Sequence, residues 1–196
     1  MGALSKLQAV NRMLRAASEL PVNSLDTSGV SDTDVAISIL EERSISLQIE
    51  GKYWNTETQT LLPDLDGKIA LASNVLNVIP VNEWANRNIT MRAGFAYDID
   101  ENSNVFSDDT DGIDFQVVYN LPFADIPTYA QFLIADSAAR EYQARVVGDA
   151  NVDQNLQVFE IQSLIRSKRE EAKARRASWI GKRTSRSIHD RENDNF

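Results

Sequence analysis

The chain has 196 residues, 42% of them hydrophobic, so it is long enough to bury one sizeable core or a core with a small satellite domain. It has no cysteine and a single histidine, His189, which excludes a disulfide framework, a thiolate zinc site and a site built from several histidines of one chain. The net charge of −9 is unevenly spread: residues 1–165 hold ten Lys and Arg against twenty-four Asp and Glu, or −14, whereas residues 166–196 hold ten against five, or +5.

Two amphipathic helices are predicted before residue 51. The first covers residues 5–19, where apolar residues recur at spacings of three and four and Pro21 ends the pattern. The second starts after Ser31, a favourable N-cap, and runs to about residue 50. Its predicted apolar face consists of Val35, Ile39, Leu40, Ile45 and Ile49. Gly51 follows as the residue just past the helix end, where a left-handed conformation is expected.

Beyond Gly51 the pattern changes to short strands. A turn is predicted at residues 63–67, where Pro63 presets one dihedral angle and Gly67 tolerates an unusual one. The predicted strands cover residues 53–62, 68–71, 75–80, 88–92, 95–98 and 113–119. The last of them is the clearest, because apolar and polar residues alternate along it as in a strand with one buried face. These segments predict a small antiparallel sheet.

Helical spacing returns after Pro122. Asp125 is a candidate N-cap and Pro127 a first-turn residue of a long helix that Gly148 ends. Its predicted buried face consists of Phe132, Ala135, Ala139, Tyr142 and Val146. Another helix is predicted from about residue 152, with a charged continuation to Arg176. The apolar residues of that helix are Leu156, Val158, Phe159, Ile161, Leu164 and Ile165, after which the stripe thins and the last turns are expected to project.

The C-terminal segment, residues 175–196, has too few apolar residues to bury a core of its own. We expect it to lack order in the free protein and to order on a partner, because it carries sparse apolar anchors at Trp179, Ile180, Ile188 and Phe196. The whole pattern predicts an α+β fold. Its parts are a helical bundle from residues 1–51 and 121–180, an inserted antiparallel β region at 52–120, and an extended docking tail at 181–196.

The residues at the change from helix to sheet carry a family resemblance. Gln48-x-x-Gly51 is followed by an aromatic residue before Asn55-Thr56-Glu57, and then by Leu-x-Pro63-Asp64-x-x-Gly67-x-Ile69. This pattern resembles the tail tubular protein A family, the head-to-tail adaptors or gatekeepers of short-tailed bacteriophages. The resemblance covers residues 7–78 and 122–149. The family usually has Trp directly after the Gly, where this chain has Lys52, so either Tyr53 or Trp54 is expected to pack at the junction.

The resemblance implies a structural virion protein without enzymatic activity or cofactor. Such a protein forms a ring, dodecameric in the family, that connects the portal to the tail nozzle (tail tubular protein B), helps to hold the tail fibre and forms part of the DNA ejection channel. It is then made in the host cytoplasm and located in the virion at the portal–tail junction. DNA is expected to pass the acidic body without specific binding. No segment is apolar over the length that spans a bilayer, so no membrane contact is expected.

Two groups of residues are predicted to matter for this function. The domain-junction group consists of Gly51, Tyr53, Trp54, Asn55, Pro63 and Gly67. The portal-docking group consists of Arg175, Arg176, Trp179, Ile180, Lys182, Arg183, Arg186 and Phe196. In the docking group the charges are expected to set the register on the portal, and the apolar anchors to supply the binding energy.

Other functions compete with this interpretation. The ten basic residues and Trp179 of the C-terminal segment are compatible with a basic-tailed DNA-binding protein, although five interspersed acids weaken that case. Glu41 and Glu42 could suggest a carbohydrate-degrading tail component, but adjacent helix positions point in different directions. The acidic stretch from Asp98 to Asp111 resembles a calcium loop poorly, because Ser103 stands where the loop needs Gly; a polar hairpin loop is favoured.

Overall fold

The structure, a computed structural model, describes residues 2–26, 31–106 and 111–193, and only the backbone of residues 175 and 177–193. In these ranges it contains four α-helices and five β-strands. The helices are α1 (Lys6–Ala16), α2 (Asp32–Gln48), α3 (Thr128–Val146) and α4 (Ala150–Asn193). The strands are β1 (Thr56–Leu61), β2 (Val75–Pro80), β3 (Ile89–Arg92), β4 (Phe95–Asp98) and β5 (Ile113–Tyr119). The predicted α+β fold is confirmed.

The chain divides into two compact units. The helical unit comprises Met1–Ala36 and Thr128–Phe196, and the β unit comprises Ile37–Pro127. The first boundary therefore falls inside α2, and the second falls directly before α3. The division predicted from the sequence, at residues 51, 120 and 180, follows changes of secondary structure instead and stays a prediction.

In the helical unit, α1 begins where the sequence predicts because Ser5 and Gln8 cap it reciprocally. The Ser5 hydroxyl accepts the Gln8 N–H at 3.1 Å, and the Gln8 side chain accepts the Ser5 N–H at 2.9 Å. Helix α3 contacts both α1 and α4, so it is buried on two sides rather than on the single face predicted. The predicted face is right for Ala135, Ala139 and Tyr142, whereas Phe132 is only partly buried and Val146 is 45% exposed.

The predicted N-cap of α3 is wrong. Asp125 lies in a 3₁₀ turn, Phe123–Asp125, and α3 begins three residues later at Thr128. Pro127 immediately precedes the first helical residue instead of standing inside the first turn. Since proline restricts the residue before it to extended conformations, Ile126 cannot easily continue the 3₁₀ turn, and its φ of −74° and ψ of 139° are indeed extended.

In the β unit, β5 is the central strand of an antiparallel sheet with the order β1-β5-β2, and β3 and β4 form a separate hairpin. The alternation predicted along β5 is confirmed, with Ile113, Phe115 and Val117 buried in the core. The strand predicted at 68–71 is reduced to an isolated bridge between Ala70 and Phe95. Strand β1 starts at Thr56 rather than at residue 53, because a turn in which Asn55 N–H bonds Lys52 O comes first.

The buried positions of α2 differ from the predicted apolar face. Within the β unit its buried side chains are Ile39, Leu40, Ser44 and Gln48, whereas Ile45 and Ile49 are exposed. The buried set includes residues 40, 44 and 48, a spacing of four that keeps side chains on one side of a helix. Two of these are polar, so the pattern of apolar residues alone did not find this face.

Helix α4 is longer than predicted. Its 44 residues correspond to roughly 66 Å, whereas the 19 residues of α3 correspond to roughly 28 Å. Helix α3 can therefore accompany only about the first twenty residues of α4. The sequence predicted the helix to end near Arg176, with no order beyond it, but the described backbone is helical through Asn193. Residues 166–176, which lead into this extension, are rich in Arg, Lys, Glu and Ala, which have high helix propensity.

Candidate functional site

The junction between α2 and β1 is built around Gln48, which is fully buried. Its side-chain amide donates to Ser44 Oγ at 3.0 Å, to Asn120 Oδ1 at 3.0 Å and to the Leu121 carbonyl at 3.2 Å. Its side-chain carbonyl accepts the Leu121 N–H at 2.7 Å. A single glutamine thus ties the last turn of α2 to the chain that follows β5.

Asn55 completes this connection from the strand side. Its amide donates to the Gln48 carbonyl at 2.9 Å and to the Tyr119 carbonyl at 2.8 Å, and its side-chain oxygen accepts the Lys52 N–H at 2.7 Å. The Asn55 carbonyl also accepts the Tyr119 N–H at 2.8 Å. Because Asn55 is 2% exposed, water cannot replace these partners, and each bond holds α2 against β5.

Gly51 allows the chain to turn between these two side chains. It has a φ of +69°, as predicted, and its N–H bonds the Gln48 carbonyl at 3.0 Å. A Cβ atom here would lie 3.3 Å from Val118 Cγ2. Of the two aromatic residues that could pack at the junction, Trp54 is the more buried, whereas Tyr53 is 47% exposed.

The turn after β1 is equally well determined. Asp64 Oδ1 accepts the N–H groups of Asp66 and Lys68, both at 2.9 Å. Gly67 has a φ of +73°, its N–H bonds the Asp64 carbonyl, and its carbonyl accepts the Phe106 N–H at 2.6 Å. Gly51, Asn55 and Gly67 of the predicted junction group therefore have structural roles, whereas the importance of the group as a whole stays a prediction.

We expect Gly51→Val to lower the free energy of unfolding by more than ~1 kcal/mol, because a β-branched residue is an outlier at positive φ and its Cβ would crowd Val118. Gly51→Asn should cost less, since Asn tolerates the left-handed region. Gly94→Val is the matched control: Gly94 also has positive φ, but a Cβ there meets nothing within 4 Å. Urea unfolding measures all three, and an unchanged midpoint for Gly51→Val would contradict the assignment.

A second polar cluster joins α3 to α4 within the helical unit. Arg140 on α3 bonds Asp153 at 2.7 Å and Glu160 at 3.0 Å, both on α4. One turn earlier on α3, the buried Asp136 accepts the Ser163 hydroxyl of α4 and forms an ion pair with Arg12 of α1 at 2.6 Å. Hydrogen bonds and ion pairs therefore link α4 to α3, and one carboxylate connects all three helices.

Sequence reasoning missed this cluster, although a signal for it existed. Asp136 and Arg140 are four residues apart in a stretch of α3 rich in alanine and other apolar residues. On α4, Asp153, Glu160, Ser163 and Ser167 follow at spacings of seven, three and four. Such spacing places polar residues on one helix face, which is the pattern usually sought only for apolar residues.

Burial raises the pKa of Asp136 above its ordinary value of 3.8, although the Ser163 hydroxyl and the positive charge of Arg12 oppose this. Asp136 therefore keeps its proton in the native state at pH values where the unfolded chain has lost it. The free energy of unfolding should then fall as pH rises from 3.8 through the raised pKa.

We expect Asp136→Asn to lose this component of the pH dependence. Unfolding measured at pH values rising from ~4 should show the variant gaining stability relative to the wild type. Asp98 is a suitable contrast, because hydrogen bonds from Glu101, Arg87 and Asp100 outweigh its burial and lower its pKa. Its native form loses stability as pH falls below 3.8, so Asp98→Asn should show the opposite trend in a series extended below that pH. A stability difference between Asp136→Asn and wild type that does not change with pH would refute the assignment.

The outer side of α4 differs from the prediction. The apolar residues expected to be buried are largely exposed: Val158, Phe159, Ile161, Leu164 and Ile165 have exposed fractions of 39–52%. The buried residues of α4 are instead Ser163 and Ser167, among the side chains described. The prediction failed because it assigned the apolar side to the interior, whereas α3 receives the polar side.

The predicted portal-docking residues fall at the end of α4. Arg176 is exposed, and the backbone of Arg175, Trp179, Ile180, Lys182, Arg183 and Arg186 is helical. The side chains of these residues other than Arg176 lie outside the described part of the chain, as does Phe196 entirely. Their role in docking stays a prediction.

The comparison with protein families decides which family the chain belongs to. The family model described as tail tubular protein matches residues 7–177, most of the 196 residues. The chain belongs to the tail tubular protein family. It is a structural protein of the phage tail and part of the virion. The comparison with curated proteins gives no match.

The tail tubular family match includes both the junction and the polar cluster, and it ends two residues before Trp179. The structural reasons for the junction residues are therefore properties of a family member, whereas most of the predicted docking group lies beyond the matched range. Across the described residues, no helix is both long and apolar enough to cross a bilayer. The same residues contain no group of three or more His, Asp or Glu placed to hold a metal ion.

The acidic loop after β4 has a structural explanation in this tail tubular protein. Asp98 is buried and accepts the N–H groups of Asp100 at 2.9 Å and Glu101 at 3.2 Å. Arg87 lies 2.9 Å from its carboxylate. The carboxylate thus organises a polar hairpin loop, the alternative that the sequence favoured; Asp108 and Asp109 lie outside the described residues.

Proposed function

We propose that the chain is the adaptor subunit that connects the portal to the tail nozzle, tail tubular protein B. Copies of the chain form a closed ring, twelve of them by the resemblance to tail tubular protein A, at the portal–tail junction of the virion. The ring extends the channel through which DNA is ejected and contributes to holding the tail fibre. This role needs no enzymatic step and no cofactor, because the ring acts through shape and charge.

The observation that carries the proposal is the length of α4 in a member of the tail tubular protein family. With 44 residues against 19, the helix continues for about twenty-five residues beyond the reach of α3, its companion in the helical unit. A helix of this kind exposes a charged surface that a partner can cover. The C-terminal residues 166–196, which include this extension, have a net charge of +5, opposite to the −14 of the remaining chain.

Two co-sedimentation experiments test the proposal, the first with the portal and the second with the portal and the nozzle protein together. The full chain should co-sediment with purified portal particles. The nozzle protein should co-sediment with those particles only when this chain is present. Nozzle binding to portal without the chain, or a chain that stays in the supernatant, would contradict the proposed link.

A DNA-binding role is the second candidate, and a specific observation favours it. The described side chains of Arg166, Lys168, Arg169, Lys173 and Arg176 are all exposed on α4. Phosphate contacts from such residues supply most non-specific affinity for duplex DNA. Against this, Glu170 forms an ion pair with Lys173 at 2.6 Å, and Glu171 lies on the same part of the helix.

We expect a chain that ends at Ile165 to show no measurable binding of duplex DNA near physiological salt. Its net charge is −14, and dedicated non-specific binders reach about 10⁻⁴ to 10⁻⁶ M under such conditions. Fluorescence anisotropy with a labelled duplex measures the affinity, and circular dichroism checks that the shortened chain is folded. Micromolar binding by the shortened chain would overturn the idea of a channel to which DNA does not adhere.

A further inference from the structure

Midway along α4, the side that faces away from α3 carries a group of exposed apolar side chains. We propose that Val158, Phe159, Ile161, Leu164 and Ile165, here called the outer stripe, contact a second copy of this chain. The inference rests on the proposed ring and deepens it, because it assigns the surface through which neighbouring subunits meet.

The two sides of α4 have their polarity reversed. At 3.6 residues per turn, Val158, Ile161 and Ile165 lie within about 60° of one another, whereas Leu164 lies about 60° beyond them on one flank and Phe159 about 100° beyond them on the other. Ser163 and Ser167, which are buried, lie on the opposite side. Helices of globular proteins normally turn the apolar side inward and the polar side to water. Because of this reversal, the apolar side chains of the outer stripe are exposed to water within a single copy of the chain.

The outer stripe is also contiguous. Single exposed apolar residues are normal on protein surfaces, whereas Val158, Ile161, Leu164 and Ile165 are helix neighbours at spacings of three and four, with Phe159 to one side, and each of the five is 39–52% exposed. Together they expose on the order of 400 Å² of apolar side chain, comparable to the largest patch on a typical monomer, which is often functional. Such a patch supplies about half of the roughly 800 Å² per partner found in stable interfaces.

Charge identifies a second copy as the partner. Directly after the outer stripe, Lys168 and Arg169 are exposed on the same side of α4. A surface that covers the stripe must continue over these charges, so it should be acidic. Residues 1–165 of the chain itself have a net charge of −14 and provide such a surface on the next copy.

The acidic surface is not that of a second α4. Before the outer stripe, the exposed residues on this side of the helix are amides: Asn151, Gln154, Asn155 and Gln157. The acids Asp153 and Glu160 point toward α3 and bond Arg140. An antiparallel pair of α4 helices would therefore set basic residues against amides. The contact is instead heterologous, between α4 of one copy and another surface of the next, and heterologous contacts generate a ring when the rotation between copies closes.

The limited area explains how such a ring would assemble. A contact of about half the usual size is weak for two free copies, but many linked contacts become stable once the copies are held on a common template. The free protein is then mainly monomeric, and the portal promotes ring closure.

The decisive variant is Ile161→Glu in the full chain, with Ile99→Glu as the matched control. Both isoleucines are about half exposed, at 47% and 51%, but Ile99 lies in the loop after β4. Self-association is measured by sedimentation velocity over a concentration series, and occupancy is measured as copies bound per portal particle. Ile161→Gln, a milder change at a helical position, covers the case in which the Glu variant unfolds.

We expect Ile161→Glu to fold as the wild type does and to weaken self-association at least ~10-fold, whereas Ile99→Glu should not. On the portal, single copies of Ile161→Glu should still bind while full occupancy is lost. Unchanged self-association in both Ile161 variants, or none in the wild type at any concentration, would overturn the inference. Complete loss of portal binding by a folded Ile161 variant would also overturn it, because the stripe would then face the portal. Failure of the proposed function differs from all of these, since the wild-type chain itself would not bind portal.

Discussion

Deleting residues 177–196 is expected to abolish co-sedimentation of the chain with portal while leaving its β signal and thermal melting nearly unchanged and lowering its helical signal only by the removed turns of α4. The buried residues that the structure describes lie between Ala9 and Ser167, and all of them remain after the deletion. The deleted segment contains six of the eight predicted docking residues, including Trp179, Ile180 and Phe196. Circular dichroism and thermal melting check the fold, and sedimentation with purified portal measures binding.

A single substitution sharpens this expectation. Trp179→Ala should weaken portal binding by about 2 kcal/mol per site, because tryptophan is enriched among the residues that dominate interfaces. Trp179→Phe is the matched control and should retain much of the affinity, since it keeps an aromatic anchor. If the chain without residues 177–196 binds portal as well as the full chain, the docking surface lies in the preceding residues and the proposed docking group is wrong.

The second large effect is expected inside the β unit. Asn55→Ala should lower the free energy of unfolding by ~2–4 kcal/mol, because it leaves the carbonyls of Gln48 and Tyr119 and the Lys52 N–H without their side-chain partner. These groups are in or beside a buried site, so the missing bonds are not replaced by water at no cost. Urea unfolding gives the free energy directly.

Asn88→Ala is the matched control for this measurement. Asn88 is exposed, and its side chain bonds only the exposed Asp100 among the contacts described. Its removal should change stability by less than ~1 kcal/mol. Equal effects of the two alanine substitutions would show that the Asn55 bonds do not hold the junction together, and the structural interpretation of the family signature would fail.

The sequence allowed the junction to be predicted because its determinants are local. Gly51 could be placed at a helix end from the change of period alone, and β5 from the alternation of its residues. The hydrogen bonds of Gln48 could not be predicted, because their partners Asn120 and Leu121 are more than seventy residues away. The predicted strand at 68–71 likewise depended on a partner, and it pairs at a single bridge with Phe95.

The helical unit was harder to predict because the sides of its last helix are reversed. The apolar residues around Ile161 were assigned to a buried face, following the rule that holds for most single-chain domains. The rule fails for α4 because Arg140 and Asp136 of α3 form ion pairs and hydrogen bonds with side chains on the polar side of α4. Only the structure could show which side α3 receives, and the exposed apolar side is what now points to a neighbouring copy.

The most direct test of the central claim is electron microscopy of the full chain mixed with purified portal. The adaptor account predicts a closed ring of copies seated on the portal, with an open channel along the portal axis and no such ring in a sample of the chain alone at low concentration. Portal particles that carry no added density, or copies scattered without a ring, would contradict it.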